Sequence, residues 1–501
     1  MFVDRAADLD DLVTRWGPRP QFYVLWGRRR VGKSALIREF AATRDSIIYQ
    51  AVTGTVTDQL SLLTRRIRAW RDDPVLAAAP LANWDQAFAY LENVGRVRRA
   101  SGDPLLIALD EFQYLYASDD TIVSRLQEFL DTARHDDLPL FVIVSGSAIG
   151  FFEERIQVGQ VFGRRTAGGL LRPLSYRDAA MFFPDWSPVD RIRGWAVLGG
   201  MPYYLEQFDA RHGLEWNIRE RMLRRNQVLY NEADLLLREE LRDAPTYQSV
   251  LAAIADGQTK NADIATRSGV PANNLSTILT RLERLHLVER TVPFGEDAAG
   301  SRRGLWTILD NYLAFWFAFV RPNLTDLEAG RGDAIWREEI RPALDRFISR
   351  PAFERICREY VRGAIGRDPR LPDRGNVGEW WGPYRARDDQ GAIVTEQRQA
   401  DVVVGTPKRV TLVGECRWSD SLVDTDALRQ LRGVAAAVPG TTAATRLALF
   451  AREGFTDRLE AIAEQEGLLL FTSADLLDGS RGAAVAATLL AGELESEGAR
   501  G

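Results

Sequence analysis

The segment that most constrains the fold is "GRRRVGKS", residues 27–34, because of what flanks it. Residues 21–26, "QFYVLW", form an apolar run typical of a strand, and "SALIREFAAT" from Ser34 onward spaces its apolar residues as a helix does. A glycine-containing turn between a strand and a helix N-terminus points backbone N–H groups at phosphates. The segment matches G-x-x-x-x-G-K-[ST] in full, so it predicts an α/β nucleotide-binding core.

The chemistry of this loop assigns a role to its last two residues. Lys33 is expected to reach the β and γ oxygens of ATP, and Ser34 to offer its hydroxyl to Mg²⁺. The chain has lysine only at positions 33, 260 and 408, although lysine and arginine together number 64, so a retained lysine here indicates a specific need. The residues predicted to surround the nucleotide are Gly27, Arg28, Arg29, Arg30, Val31, Gly32, Lys33, Ser34 and Ala35.

A second signature of ATP hydrolysis lies in residues 103–115, "DPLLIALDEFQYL", where a buried-type strand ends in two carboxylates. Asp110 is expected to hold Mg²⁺ through water, and Glu111 to orient or deprotonate the attacking water. The next apolar strand, residues 138–148, ends in Ser145 and Ser147, which are candidate sensors of the γ-phosphate.

Two arginines that follow this strand are candidates for a charge-neutralising finger. Arg164 and Arg165 lie in "GQVFGRRTAGG", and a guanidinium near the γ-phosphate stabilises the charge that develops during transfer. A solvated arginine pair accounts for the same residues equally well in so arginine-rich a chain.

Length and composition limit the remaining classes. A chain of 501 residues is too long for one core, so three or four domains are expected. The longest apolar runs fall well short of a membrane span and the start is acidic, so we expect a cytoplasmic protein without membrane partners. Two cysteines and three widely spaced histidines argue against a disulfide framework or a zinc site, and the net charge of −6 argues against coating nucleic acid with the whole surface.

Residues 246–308 carry the pattern of a winged helix. Helical periodicity appears over 247–255, 261–268 and 271–285, followed by two strand-like segments around a glycine-rich, charged loop. The segment predicts DNA binding through its second and third helices and its wing, or alternatively a structural or protein-docking role. The candidate DNA contacts are Asn273, Asn274, Ser276, Thr277 and Arg281 on the recognition helix, and Arg302 and Arg303 in the wing.

The first half of the chain resembles the archaeal-type ATPase family, which is related to the AAA+ and STAND NTPases. The resemblance is carried by "FVDRAADLDDL" at 2–12, the phosphate-binding loop, "LLIALDEFQYL", "VSGSAIGFFEE", "LRPLSYRDA" and "LGGMPYYLEQF", in that order. It implies that Asp4 and Arg5 lie near the adenine end of the site. It also implies that Pro202 opens a helical lid and packs on the base, although a simple helix-start turn explains that proline too.

From about residue 342 the sequence predicts a helical stretch, a loop at residues 371–385, and then strands and helices. This order resembles the restriction-endonuclease-like C-terminal domain found on such ATPases. The resemblance implies that Glu354 is the helix carboxylate, Asp401 the strand aspartate and Glu415 the glutamate of Glu-x-Lys, with Asp401 and Glu415 as Mg²⁺ ligands. Arg417 stands where that motif has lysine. Because arginine keeps its proton, it can stabilise charge but cannot help to generate hydroxide, so both an active nuclease and an inactive docking fold stay open.

The sequence therefore predicts a multidomain α/β protein. Its expected parts are a P-loop NTPase core at 1–175, a helical lid at 176–240, a winged helix at 241–322, a linker at 323–341, a restriction-endonuclease-like α/β domain at 342–478 and a partly disordered tail at 479–501. Three functions are consistent with this plan: an ATP-hydrolysing switch on DNA, an ATP-regulated DNase, and a STAND-like signalling NTPase that binds protein partners. The oligomeric state is left open.

Overall fold

The computed structural model describes residues 5–153, 162–241, 243–387 and 393–478. The chain divides into two compact units, Met1–Leu174 with Met201–Tyr203, and Ser175–Gly200 with Tyr204–Gly501. In the described part of the chain, every helix is too short or too polar to cross a bilayer. Asp4 and the tail at 479–501, for which the sequence made predictions, lie outside the described residues.

The first unit is built on a five-stranded parallel sheet. Its strands are β1 (Gln21–Trp26), β2 (Ser46–Gln50), β3 (Leu105–Asp110), β4 (Leu140–Gly146) and β5 (Ala167–Leu170), in the order β2-β3-β4-β1-β5. Both β3 and β4 are buried along their whole length. Continuous apolar runs of this kind suit a parallel sheet that is covered on both faces.

Helices connect and cover these strands. They are α1 (Ala6–Arg15), α2 (Lys33–Ala41), α3 (Val56–Trp70), α4 (Pro74–Ala78), α5 (Trp84–Arg98), α6 (Phe112–Ser118), α7 (Ile122–His135) and α8 (Ile149–Phe151). Strand β4 lies between β1 and β3, so the carboxyl ends of these three strands are neighbours. Ligands of open α/β sheets bind at this edge, and the residues predicted for ATP hydrolysis, Lys33, Asp110 and Glu111, follow or end strands β1 and β3 there.

The second unit begins with helices and continues into the segment predicted as a winged helix. The helices that precede this segment are α9 (Tyr176–Ala180), α10 (Pro188–Leu198), α11 (Pro202–Leu205, which begins in the first unit), α12 (Leu214–Asn217) and α13 (Val228–Glu240). Three further helices, α14 (Ala244–Ala255), α15 (Asn261–Ser268) and α16 (Ala272–Arg284), precede a hairpin of β6 (Val288–Thr291) and β7 (Leu305–Ile308). Their bounds agree with the predicted helices to within three residues.

The stretch predicted as a linker is mostly helical. Beyond α17 (Asn311–Phe315), the chain forms α18 (Leu324–Glu328), α19 (Gly332–Ile335) and α20 (Arg341–Phe347), with π-helical turns at Trp316–Val320 and Trp336–Ile340. Leu327, Ile335, Trp336 and Ile340 are buried. The structure thus differs from the sequence expectation for 323–341, because these apolar side chains pack inside the unit instead of leaving an open connection.

The C-terminal part of the unit is a five-stranded mixed sheet. Its strands are β8 (Asn376–Arg387), β9 (Ile393–Thr406), β10 (Arg409–Arg417), β11 (Arg446–Ala451) and β12 (Leu469–Thr472), in the order β12-β11-β10-β9-β8. The accompanying helices are α21 (Glu354–Ala364), α22 (Thr425–Ala435), α23 (Asp457–Glu466) and α24 (Ser473–Leu477).

One strand of this sheet differs from the sequence expectation. Residues 371–385 read as a loop because of their glycines, prolines and charges, yet residues 376–387 form β8, which pairs antiparallel with β9. An edge strand tolerates such residues because one side of its backbone needs no partner.

Candidate functional site

The phosphate-binding loop follows β1, and its glycines occupy positions that other residues would strain. Gly32 has φ +100°, and a Cβ at Gly27 would lie 2.5 Å from the carbonyl oxygen of Leu171. Only glycine combines such backbone angles with so close an approach at little cost. The loop therefore takes this path because glycine stands at both positions.

Lys33, the first residue of α2, is folded back over the loop. Its ammonium group donates hydrogen bonds to the carbonyl oxygens of Gly27 (2.9 Å) and Arg28 (3.0 Å), and only 4% of the residue is exposed. The positive charge is therefore held in the concavity of the loop, beside the N-terminus of a helix, where phosphate oxygens are bound in sites of this type.

Asp110, at the end of β3, is held between two serine hydroxyls. Ser34 Oγ donates to Asp110 Oδ2 and Ser145 Oγ to Asp110 Oδ1, each at 2.5 Å. Asp110 is 3% exposed and Ser145 is fully buried. The hydroxyl of Ser34 and the carboxylate of Asp110, which were predicted to share Mg²⁺, are thus adjacent and offer the oxygen ligands that Mg²⁺ prefers. Ser145, which was predicted to sense the γ-phosphate, contacts Asp110.

Glu111 is fixed by a second pair of donors. Its backbone is left-handed (φ 55°), and its Oε2 accepts a hydrogen bond from Ser147 Oγ at 2.9 Å and another from Gln113 Nε2. Gln113 Nε2 also lies 3.1 Å from Ser147 Oγ. Sequence reasoning did not identify Gln113, whose only signal was its place two residues after the acidic pair.

The predicted loop arginines lie beside a cavity of about 450 Å³. Arg29, Arg30, Glu111 and Tyr114 are among its lining residues. Arg29 donates a hydrogen bond to the Tyr114 hydroxyl at 3.0 Å, and the guanidinium of Arg30 lies 4.4 Å from the ring centroid of Tyr203. The cavity therefore gives Glu111 space beside positively charged groups.

Arg5 and Pro202 both lie against the phosphate-binding loop. Arg5 donates hydrogen bonds to the carbonyl oxygens of Val31 and Arg172, each at 2.8 Å. Pro202 Cγ lies 3.8 Å from the position that a Cβ on Gly32 would take. These contacts bring both residues to the site, and for Arg5 they indicate a role in holding the loop.

The finger candidates lie after β4. Arg164 makes a two-pronged ion pair with Asp131 of α7, at 2.7 and 2.8 Å, and Arg165 is half-buried. A guanidinium that is paired with a carboxylate must leave it before it can bind a phosphate. The role of Arg164 as a charge-neutralising finger therefore stays a prediction.

The predicted DNA contacts on α16 share one property, which is exposure to solvent: Asn273, Asn274, Ser276, Thr277 and Arg281. In the loop between β6 and β7, which was predicted to be a wing, Arg302 is also exposed. Arg303 is exposed as well, but its guanidinium pairs with Glu296 at 2.6 Å and donates to the carbonyl oxygen of Trp381 on β8. The loop between β6 and β7 is further bound to β8 by a hydrogen bond from Phe294 N to the carbonyl oxygen of Glu379, at 2.7 Å.

In the C-terminal sheet, the three predicted carboxylates come together but are already paired. Glu354 opens α21, Asp401 lies on β9 and Glu415 on β10, and all three are at most 8% exposed. Arg417 donates to Glu415 Oε2 and to Gln430 Oε1, each at 2.6 Å. Among the described residues, no three His, Cys, Asp or Glu side chains are grouped to hold a metal ion.

Burial governs the electrostatics of this carboxylate cluster, which consists of Glu354, Asp401 and Glu415. Burial, followed by repulsion from Asp401, raises the pKa of Glu354 to about 8 against the attraction of Arg350 and Arg358. Burial also raises the pKa of Asp401 and of Glu415. The ionisation of each carboxylate is therefore less favourable here than in water.

Comparison with known proteins gives matches to two family models. Residues 2–208 match a family described as an ATPase domain predominantly from Archaea, and residues 316–430 match a family of archaeal and bacterial proteins of unknown function. An uncharacterised protein of Methanocaldococcus jannaschii is 28% identical over 388 residues, which cover 76% of this chain and 82% of the relative.

Two solved structures are among the matches. A Walker-type ATPase of Pyrococcus abyssi is 21% identical, with a TM-score of 0.47 over 63% of this chain and 96% of that one. The ORC2 protein of Aeropyrum pernix, in its ADPNP–ADP complexes, is 14% identical, with a TM-score of 0.41 over 65% of this chain and 95% of that one. The family models and the nucleotide-site geometry agree: residues 2–208, which carry the candidate nucleotide site, match an ATPase domain found predominantly in Archaea, and residues 316–430 match a segment of archaeal and bacterial proteins of unknown function.

Proposed function

We propose that this protein hydrolyses ATP with Mg²⁺ and uses its nucleotide state to control association with DNA. The observation that carries the proposal is the double arrangement at the strand ends: Ser34 bonded to Asp110, and Ser147 bonded to Glu111. The first pair suits a magnesium ion, and the second holds a carboxylate where it can orient water. A nucleotide-binding site without hydrolysis would not need the second pair.

The chain's own groups have separable roles in this reaction. Lys33 exchanges its two carbonyl partners for phosphate oxygens, and the loop's backbone N–H groups bind the remaining phosphate charge. Bound Mg²⁺ supplies charge neutralisation, and Ser34 and Asp110 would hold it. Glu111 accepts a hydrogen bond or a proton from the attacking water, while Ser147 and Gln113 fix its orientation.

The proposed DNA-binding surface is the exposed face of α16 with Arg302. The polar side chains of this face can bond to base edges or phosphates, and a cavity of about 630 Å³ lies between α14 and α16, lined by Tyr247, Asn274 and Thr277 among others. Residues 244–308 contain seven basic and six acidic residues. Their small charge excess favours few phosphate contacts and a shallow salt dependence.

An ATPase assay with and without single- and double-stranded DNA tests the proposal. We expect Lys33→Ala to abolish nucleotide binding, Glu111→Gln to retain bound ATP without turnover, and DNA to change the turnover of the unaltered protein. An unaltered protein without turnover would refute the hydrolysis. A turnover that no DNA changes would count against the DNA switch and favour a signalling role with protein partners.

The DNase alternative is tested in the same ATPase reactions that contain DNA. Inspection of the DNA after incubation with Mg²⁺ or Mn²⁺ would reveal cuts, which Asp401→Ala should remove if the C-terminal cluster makes them. Intact DNA across metals and substrates would leave the ATPase switch as the activity of this chain.

A further inference from the structure

The carboxylate cluster contains a cation of the chain's own. Arg350, four residues before Glu354, places Nε 2.7 Å from Glu354 Oε1 and Nη2 3.8 Å from Asp401 Oδ1. One guanidinium therefore faces a carboxylate from α21 and another from β9. We propose that Arg350 takes the place of a divalent cation between Glu354 and Asp401, and that this closes the cluster to metal.

Three further carboxylate oxygens of the cluster also have partners. Asp401 Oδ2 accepts from the backbone N–H of Cys416 at 2.9 Å, and Glu415 Oε2 accepts from Arg417 at 2.6 Å. Glu354 Oε2 lies 3.9 Å from Arg358 Nη1. Mg²⁺ requires near-octahedral oxygen ligands at about 2.0–2.1 Å. It would have to break several charge-assisted hydrogen bonds to obtain them, so the residues as arranged do not fit the metal that the nuclease resemblance implies.

The charge balance points the same way. The four carboxylates of Glu354, Asp401, Glu415 and Glu379 face the three guanidiniums of Arg350, Arg358 and Arg417, so this set carries at most one net negative charge even when every carboxylate is ionised. A divalent ion added to this set would have to expel at least one guanidinium, because unbalanced charge is costly in a buried site.

Arg350 is the guanidinium that can most easily be removed. Its side chain is 61% exposed, whereas those of Arg358 and Arg417 are 10% and 34% exposed. Replacing Arg350 with glutamine removes the positive charge between Glu354 and Asp401 and leaves Arg358 and Arg417 in place. The cluster should then attract a divalent cation that the unaltered chain does not bind there.

The test is a Mn²⁺ titration of the full, nucleotide-free chain, in which free Mn²⁺ is measured by electron paramagnetic resonance. The variants are Asp401→Asn, Arg350→Gln, the double variant of both, and the matched control Arg346→Gln, an exposed arginine one turn earlier. We expect the unaltered chain, Asp401→Asn and Arg346→Gln to bind Mn²⁺ alike. Arg350→Gln should bind one additional Mn²⁺ ion per chain. At that site its affinity should be at least about tenfold tighter than that of the unaltered chain, a factor worth 1.4 kcal/mol. The double variant should lose this additional ion.

Two results would overturn the inference. The first is a Mn²⁺ site in the unaltered chain that disappears in Asp401→Asn. The second is an Arg350→Gln variant that melts cooperatively near the unaltered protein and gains no ion. If Arg350→Gln does not fold, Glu415→Gln serves as a second variant that lacks a potential metal ligand. The closed cluster would also be refuted if the unaltered chain bound a Mn²⁺ ion that Glu415→Gln did not bind.

Discussion

Removing the hydroxyl of Ser147 should slow ATP turnover without weakening ATP binding. Ser147 Oγ donates to Glu111 Oε2 at 2.9 Å, and the remaining donor to that oxygen, Gln113 Nε2, is itself within 3.1 Å of the lost hydroxyl. Ser147→Ala therefore removes one of the two side-chain donors to this oxygen and leaves the other without its neighbour. The nucleotide-binding loop is unaffected, because Ser147 holds Glu111 and not Lys33.

The size of the effect follows from the bond that is lost. A hydrogen bond to a charged group contributes about 1.5–3 kcal/mol. If this energy is needed to align Glu111 in the transition state, kcat falls about 10- to 150-fold, since 1.36 kcal/mol corresponds to a factor of ten. The KM for ATP and the Kd of a fluorescent ATP analogue should stay within about twofold of those of the unaltered protein, because the lost interaction belongs to the transition state.

The assay is phosphate release at saturating Mg²⁺–ATP, combined with equilibrium binding of the analogue. Ser147→Thr keeps a hydroxyl on the same carbon and should retain most of the turnover, which separates hydrogen bonding from packing. A kcat within about threefold of the unaltered value in Ser147→Ala would refute the positioning role, as would a loss of ATP affinity equal to the loss of kcat.

Three further predictions concern other parts of the chain. Arg302→Ala should weaken DNA binding and lower the salt slope of log K by about one, whereas Arg303→Ala should leave that slope unchanged because its guanidinium is bound to Glu296 and β8; fluorescence anisotropy at several salt concentrations decides between them. Burial raises the pKa of Glu354 in the folded chain to about 8, so this group stabilises the fold at low pH and its contribution is lost as the pH rises toward 8. Glu354→Gln should therefore reduce the fall in Tm between pH 6 and pH 8, by an amount that corresponds to a few kcal/mol of unfolding free energy. An unchanged pH profile of Tm would contradict this reasoning. Arg5→Ala removes two hydrogen bonds to backbone carbonyls and should weaken ATP binding several-fold, with calorimetry as the measurement; an unchanged Kd would show that the loop holds its shape without them.

The candidate nucleotide site was largely predictable because its residues are local in sequence. The eight residues of the phosphate-binding loop combine strand, turn and helix start, and their chemistry depends on glycine and lysine at fixed spacing. The acidic pair Asp110–Glu111 and the two serines at the end of β4 were also identified as candidates, because parallel strands bring their carboxyl ends to one edge. The partners of Ser145 and Ser147 were not predictable, since each depends on which oxygen of a neighbouring strand a hydroxyl can reach.

The C-terminal domain shows where a sequence pattern stops being informative. Arg417 was noticed because it departs from a known motif, but Arg350 carried no signal. Its position four residues before Glu354 has meaning only once β9 brings Asp401 beside both. Strand β8 was likewise read as a loop, because its two glycines and its proline disfavour a central strand and its place at the sheet edge was not visible in the sequence.

The sequence by itself determined the nucleotide-binding loop, the acidic strand end and the three helices before the hairpin, since these depend on short-range periodicity and on residue types at fixed spacing. Only the tertiary structure decided which groups face one another: Gln113 with Glu111, Arg303 with β8, and Arg350 with Glu354 and Asp401. The physical reason is that ion pairs and hydrogen bonds depend on distances of a few ångströms between residues far apart in the chain. Those distances are set by packing and strand register, which local sequence does not encode.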